Sequence, residues 1–422
     1  MRRDASITRP LYRPQGVLVK IGRRSSDPPA LVRLPLVTTE EAGRGGGDRL
    51  RIVYELACEH DQDAFARARE IAFEQTVELP EPCVPPALQR AVVARLEGME
   101  RFDKRLWRAT LSFTPDIIGT EVPQLLNVLF GNVSLLDGVR VVDVGWPRSL
   151  VEALPGPAFG IDGIRKLLPQ ANGRALLCTA LKPIGLTSRE LGKLAGSFAR
   201  GGVDIIKDDH SLADQTTAPF AERVARCQGE VRRAAEETGV ESLYLPHLTG
   251  PIDQLPARLD LLRAEGVRGA LVSPFVLGLD ALRWLAATSG LVLLAHPTWS
   301  GTLFGARHGI APEVVYGDLL RLLGADGVIY VNSGGRFPVR LETCEAINER
   351  LRRELDGVRP SFPVAGGGVK VETLPRWAAR YGPDTIFLVG GSLYLQDDIE
   401  QASRQLVQAL AWQGVPASTK RR

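Results

Sequence analysis

Lysine is scarce in this chain: only 8 of its 52 basic residues are lysine, the rest arginine. Genome composition is enough to explain the bias, but it gives each retained lysine some meaning. Arginine stays charged in proteins, whereas a buried lysine can shed its proton and serve as base or nucleophile. Cysteine is also sparse. The five copies (Cys58, Cys83, Cys178, Cys227, Cys344) are odd in number and scattered, with no CxxC spacing, which excludes a disulfide framework and a cysteine-bound zinc. No uncharged apolar run reaches the ~18 residues of a membrane span. The arginine-rich start (Arg2, Arg3, Arg9, Arg13) leads into no apolar segment, so it does not read as a secretory signal, and the cytoplasm is the expected compartment. A net charge of +3 exerts no global pull, and neither nucleic acid nor membrane is expected as a partner.

The 422 residues are 44% apolar and 24% charged, an ordinary globular balance with room for a large core. Residues 1–46, rich in proline, glycine and arginine, read as a flexible extension. Residues 47–150 read as an α+β domain, with an alternating strand over Arg49–Leu56, a helix near 62–73, a second strand near Glu74–Glu78 and another over Leu106–Phe113. From 151 to 422 the pattern changes to short apolar runs separated by helical stretches. The runs are Leu176–Lys182, Val203–Asp209, Leu243–Thr249, Gly269–Phe275, Leu291–Pro297, Gly327–Ser333, Phe362–Gly368 and Thr385–Gly391. Eight such βα units point to an α/β protein whose parallel strands close into a (β/α)8 TIM barrel. A doubly wound open sheet is the competitor, but the glycine fingerprint GxGxxG that such sheets often carry after the first strand is missing.

Barrel enzymes collect their chemistry at the C-terminal strand ends. Those ends carry Lys182, Lys207 to His210, His247, Ser273, His296, Asn332 and two glycine runs. In Lys207-Asp208-Asp209-His210, strand alternation puts Lys207 and Asp209 on one face and Asp208 on the other. Clustered carboxylate and imidazole donors suit a divalent metal. A plain Lys–Asp ion pair capping the strand is the alternative. The runs Gly366-Gly367-Gly368 and Gly390-Gly391 end the seventh and eighth strands, where barrels often cradle a phosphate, although tight turns alone would also call for glycine.

Several motifs now fall in a familiar order. Gly201-Gly202-Val203-Asp204-Ile205-Ile206-Lys207-Asp208-Asp209 resembles the signature of the RuBisCO large-chain family. Gly131-Asn132-Val133, Gly156 to Ile161, Lys182-Pro183 with Gly185-Leu186, His308-Gly309 and the two glycine runs match in the same sequence, over roughly residues 50–410. The resemblance implies a ferredoxin-like N-terminal domain, a catalytic barrel and a head-to-tail homodimer. In that dimer Glu74, Thr76 and Gln124 would contribute to the partner's site. It also implies that Lys207 reacts with CO2 to form a carbamate, that the carbamate and Asp209 hold magnesium, and that Lys182 lies nearest the reacting carbons. The chain departs from carboxylases at several of these positions. His210 stands where they carry a glutamate ligand, which favours softer ions such as manganese, iron or zinc. The loop Asn332–Phe337 lacks their lysine, Gly366 replaces their serine, and Pro297 replaces an arginine that binds the distal phosphate.

CO2 fixation is therefore not expected; the resemblance is to the RuBisCO-like, form IV, non-photosynthetic branch. What remains is machinery for an enolate of a small phosphorylated sugar or sugar acid. Decarboxylation of a 3-oxo sugar-acid phosphate (3-oxo-isoapionate 4-phosphate type) is the first expectation. Gly367, Gly368, Gly390 and Gly391 would hold one phosphate, Arg336 a carboxylate, and His210, His247 and His296 would bind or protonate near neutral pH, with Lys182, Lys207 and His296 catalytic. The alternative is the isomerase or enolase chemistry of methionine salvage, acting on 5-methylthioribulose 1-phosphate or diketo-methylthiopentyl phosphate. A catalytically silent regulator on the same scaffold is a third reading.

Overall fold

The computed structural model describes residues 48–411; the expected extension, residues 1–46, lies outside them. The strand β1 (Leu50–Ala57) buries every second side chain, Leu50, Ile52, Tyr54 and Leu56, as its alternating pattern requires. A helix over Asp61–Glu74 lays Ala64, Ala68, Ile71 and Ala72 against it, one apolar stripe at helical spacing. Strands β2 (Arg95–Asp103) and β3 (Leu106–Phe113) form a hairpin; β3 pairs antiparallel with β1, placing Ile52 opposite Leu111. After a helix over Val122–Phe130, β4 (Val139–Gly145) pairs with the other edge of β1. This βαββαβ order is the ferredoxin-like arrangement.

The structure corrects one strand before residue 150 and adds two there. No strand forms at Glu74–Glu78: the helix runs to Glu74 and a turn follows. Tertiary contacts override the strand propensity of Thr76-Val77, because the Gln75 amide donates to the carbonyls of Asn127 and Val128 and the Thr76 hydroxyl to Ala72. The strand β2 escaped notice because none of its nine residues is fully buried, which leaves no apolar alternation to read. The strand β4 is a short valine-rich segment that the sequence reading passed over.

The barrel strands are β5 (Leu176–Leu181), β6 (Ile205–Asp208), β7 (Leu243–Leu245), β8 (Gly269–Val272) and β9 (Val292–Ala295). After β10 (Gly309–Ile310) come β11 (Gly327–Val331), β12 (Phe362–Gly366) and β13 (Ile386–Leu388). All eight expected runs are strands, each shortened at its C-terminal end, where the chain leaves the sheet to form the rim. The sheet order is β7-β6-β5-β13-β12-β11-β9-β8, parallel throughout. Closure comes at His247: Leu248 N–H donates to Leu271 O and Leu271 N–H to Pro246 O, both 2.9 Å. Leu176, Cys178, Ile205, Leu245, Leu271, Leu294, Val364 and Ile386 fill the interior, with Ile161, Ile164 and Leu168 in the same cluster, so the barrel is a packed core. The short β10 joins β4 of the N-terminal sheet in parallel, so chain beyond residue 150 completes that sheet.

Candidate active site

Alternation along β6 sorts the charged cluster to two sides. Ile205 lies in the barrel interior, and Lys207 and Asp209 share its parity. Lys207 is only 1% exposed, and its Nζ donates to the carbonyl of Asp208 at 3.1 Å. Burial pushes its ammonium below the usual lysine range, favouring the free amine. Asp209 Oδ1 accepts from Ser211 N–H (3.1 Å) and Oγ (2.8 Å), while its Oδ2 lies 2.6 Å from Lys182 Nζ. Burial alone would raise the Asp209 carboxyl, but Lys182, Lys207 and Ser211 outweigh it and hold it well below the ordinary carboxylate range.

Asp208 points the other way and organises the strand end. It is fully buried and accepts from Arg223 Nε (3.0 Å), Tyr244 OH (2.9 Å) and the backbone N–H of His247 (3.0 Å). Arg223, from the helix Phe220–Thr238, also donates to the carbonyls of Ala218 and Ala213. One carboxylate thus fixes the second strand, the third strand and the barrel seam. Arg223 had no sequence signal, being one arginine among many on a helical face.

The histidines converge but do not behave as expected. The rings of His210 and His296 stack with centroids 4.3 Å apart and planes 13° from parallel. His210 Nδ1 lies 3.3 Å from Asp209 Oδ1. His296 Nδ1 accepts from Thr298 N–H at 3.1 Å, which leaves the proton of the neutral ring on Nε2. His247 Nδ1 faces the carbonyl of Leu212, which can only accept, so Nε2 accepts from Ser273 Oγ; both contacts are 2.9 Å. Burial pushes His247 down to about 4, and burial followed by the nearby Lys207 pushes His296 further below its usual range. Titration near neutrality, expected from the sequence, is overturned for both, because desolvation disfavours the imidazolium. They are neutral hydrogen-bonding groups.

Two further residues were not singled out in the sequence. Tyr394 OH donates to Ala180 O (2.7 Å) and accepts from Lys182 N–H (2.9 Å), tying the first strand's end to the segment after the eighth. Ser392 Oγ is buried without a hydrogen-bond partner beside Gly390-Gly391. Their spacing from the glycine pair was the available signal.

The glycines divide. Gly367 has φ +66°, a left-handed conformation costly for other residues. A Cβ on Gly368 would lie 2.9 Å from Gly335 N, so the turn after β12 and the loop after β11 pack backbone to backbone there. At Gly390 and Gly391 an added Cβ would meet nothing within 4 Å; no protein atom demands glycine, and space is left for a ligand. Arg336 is exposed on the loop after β11, its guanidinium 4.8 Å from the Phe337 ring centroid. Glu74 accepts from Asn132 (3.0 Å), Thr76 back-bonds to its own helix, and Gln124 donates to Ile117 O (2.9 Å). These three make their hydrogen bonds within the N-terminal part, not with the barrel cluster.

Among the described residues no three His, Cys, Asp or Glu side chains form a metal-binding set. Asp209 and His210 supply two donors, and Asp209 Oδ2 is buried without a hydrogen bond of proper geometry. A third donor would have to come from Lys207. Burial disfavours its ammonium, the free amine is the form that adds CO2, and the resulting carbamate would complete the set. The residues fit a divalent ion on that condition.

Taken together, these elements define a barrel enzyme whose rim joins two lysines, a carboxylate and paired imidazoles. The profile of the ribulose bisphosphate carboxylase large chain, catalytic domain, matches residues 160–410. Ribulose bisphosphate carboxylase-like protein 1 of Rhodopseudomonas palustris is 38% identical over 82% of this chain and 93% of its own length. The 5-methylthioribulose-1-phosphate isomerase of Rhodospirillum rubrum is 38% identical over 82% of this chain and 91% of its own. The crystal structure of a RuBisCO-like protein from R. palustris superposes with a TM-score of 0.79 at 33% identity, covering 87% of this chain and 98% of that one. The chain belongs to the RuBisCO large-chain family, as a form IV RuBisCO-like enzyme.

Proposed function

We propose that this enzyme isomerises a phosphorylated ketose of the 5-methylthioribulose 1-phosphate class by moving a proton from the hydroxyl-bearing carbon beside the carbonyl onto the carbonyl carbon, while the hydroxyl proton passes to the carbonyl oxygen. The observation that carries the reading is the half-exposed Lys182 amine held 2.6 Å from Asp209, in a chain 38% identical to a relative named for that isomerisation. Similarity to this relative supports isomerisation, or the related enolase chemistry, better than the decarboxylation first expected from the sequence.

A divalent ion held by Asp209, His210 and a Lys207 carbamate would act as a Lewis acid on the substrate carbonyl. Lys182 takes the proton from the carbon beside the carbonyl and returns it to the former carbonyl carbon, with Asp209 as the counter-ion of the ammonium formed in between. The neutral His296 offers its Nε2–H to the substrate oxygen that gains charge. Its low basicity suits that role, since a neutral imidazole can donate without giving its proton away. Gly390, Gly391 and Ser392 Oγ hold the single phosphate, and His247, locked by Leu212 and Ser273, lines the site as a fixed neutral wall.

The test is to incubate the enzyme, magnesium and bicarbonate with 5-methylthioribulose 1-phosphate and follow isomer formation by NMR. A 3-oxo sugar-acid phosphate is run in parallel and scored for CO2 release. Turnover of the first substrate alone is expected. CO2 release from the second without isomerisation of the first would refute the proposal.

A further inference from the structure

Two costs meet at Trp299. Among the described residues only Trp299 and Glu78 combine a side chain with left-handed backbone; Trp299 has φ +69° and is 69% exposed. A residue of this bulk is strained in that region, and such strain collects where a ligand is gripped. The conformation is imposed from both sides. Thr298 N–H donates to His296 Nδ1 (3.1 Å). Ser300 N–H donates to Pro297 O (3.1 Å), and its hydroxyl donates to the same carbonyl and meets Tyr316 OH. Glycine would adopt this backbone freely. The indole is therefore kept at a cost, three residues beyond the imidazole that stacks on His210.

The order of strands sets Trp299 opposite the phosphate seat. In the closed sheet β8 stands four strands from β13 in either direction, so the loops after β8 and β9 lie across the mouth from Gly390-Gly391. The loop after β8 adds Val276, 58% exposed. Neither loop, residues 273–278 and 296–304, contains an aspartate, glutamate, lysine or arginine, and burial holds His296 neutral. A second phosphate or a carboxylate would find no counter-charge on these loops. We propose that Trp299 is a specificity residue: it packs against the end of the substrate remote from the phosphate and, with Val276, selects an uncharged apolar tail. A thioether suits it best, because a sulfur gains from contact with an aromatic ring. This inference rests on the phosphate seat and substrate class assigned above.

Non-reacting polyol phosphates test the assignment without turnover. The full chain is titrated calorimetrically with 5-methylthiopentitol 1-phosphate and with pentitol 1-phosphate, whose far end is a hydroxyl. The thioether should bind wild type about tenfold more tightly, the discrimination that one small apolar group gives in an apolar pocket. Trp299→Gly relieves the left-handed strain and so should fold; it should lose the preference while its affinity for pentitol 1-phosphate stays. Trp299→Phe should restore most of the preference. No preference in wild type, a full preference in Trp299→Gly, or an equal loss for both ligands in that variant would overturn the proposal. Failure of the isomerase reading shows separately, as absence of isomer formation from 5-methylthioribulose 1-phosphate; a thioether preference that Trp299→Gly abolishes would still support the tail subsite.

Discussion

Replacing Arg223 by leucine should unfold much of what holds the candidate site in place. Arg223 and Asp208 are both fully buried, and the pair meets at 3.0 Å. The substitution leaves Asp208 with only Tyr244 OH and His247 N–H, and leaves the carbonyls of Ala213 and Ala218 without their donors. Removing one partner of a buried ion pair costs about 3–5 kcal/mol, against a total stability of ~5–15 kcal/mol for a typical protein. Guanidinium unfolding followed by circular dichroism, at fixed protein concentration, measures it. The exposed pair Arg148–Glu152 is the control, and Arg148→Ala should leave the midpoint unchanged. The double variant Asp208→Leu/Arg223→Leu should recover a good part of the loss, because two apolar groups strand no charge. A loss below about 1 kcal/mol in the single variant, or a double variant no better than it, would refute the reasoning.

Other perturbations probe the site itself. Lys182→Met should lower kcat by a factor on the order of 1000, with some loss of stability because Asp209 loses its ion-pair partner; wild-type turnover would remove Lys182 from the chemistry. Gly391→Ala should raise KM about tenfold or more while stability holds, since the new methyl meets no protein atom and can obstruct only a ligand. His247 lies near 4 when folded against 6.5 when free, so its stabilising contribution is complete above about pH 6.5 and fades as the pH falls toward 4. The stability difference between wild type and His247→Gln should therefore shrink by up to ~3 kcal/mol across that window; a flat difference in pH-dependent unfolding curves contradicts the burial argument. His210→Glu should shift metal preference toward magnesium, read as a larger rise in melting temperature with magnesium and bicarbonate than wild type gives.

The sequence by itself determined the barrel and the chemical identity of its rim. Eight apolar runs can be satisfied only by strands buried on both faces, and period-two alternation is strict enough to put Lys207 and Asp209 on one face and Asp208 on the other before any coordinates are known. It also carried the family, because motifs such as Gly201 to Asp209 are contiguous. Only the tertiary structure decided which groups share a proton or a charge. Arg223 reaches Asp208 from a helix, Ser273 reaches His247 from another strand, and Tyr394 reaches Lys182 from the segment after the neighbouring eighth strand. Those partners are distant in the chain or anonymous in composition, and the burial that drives His247 and His296 to the neutral form belongs to the packed rim. Spacing records where a side chain points; desolvation and pairing depend on what the fold brings against it.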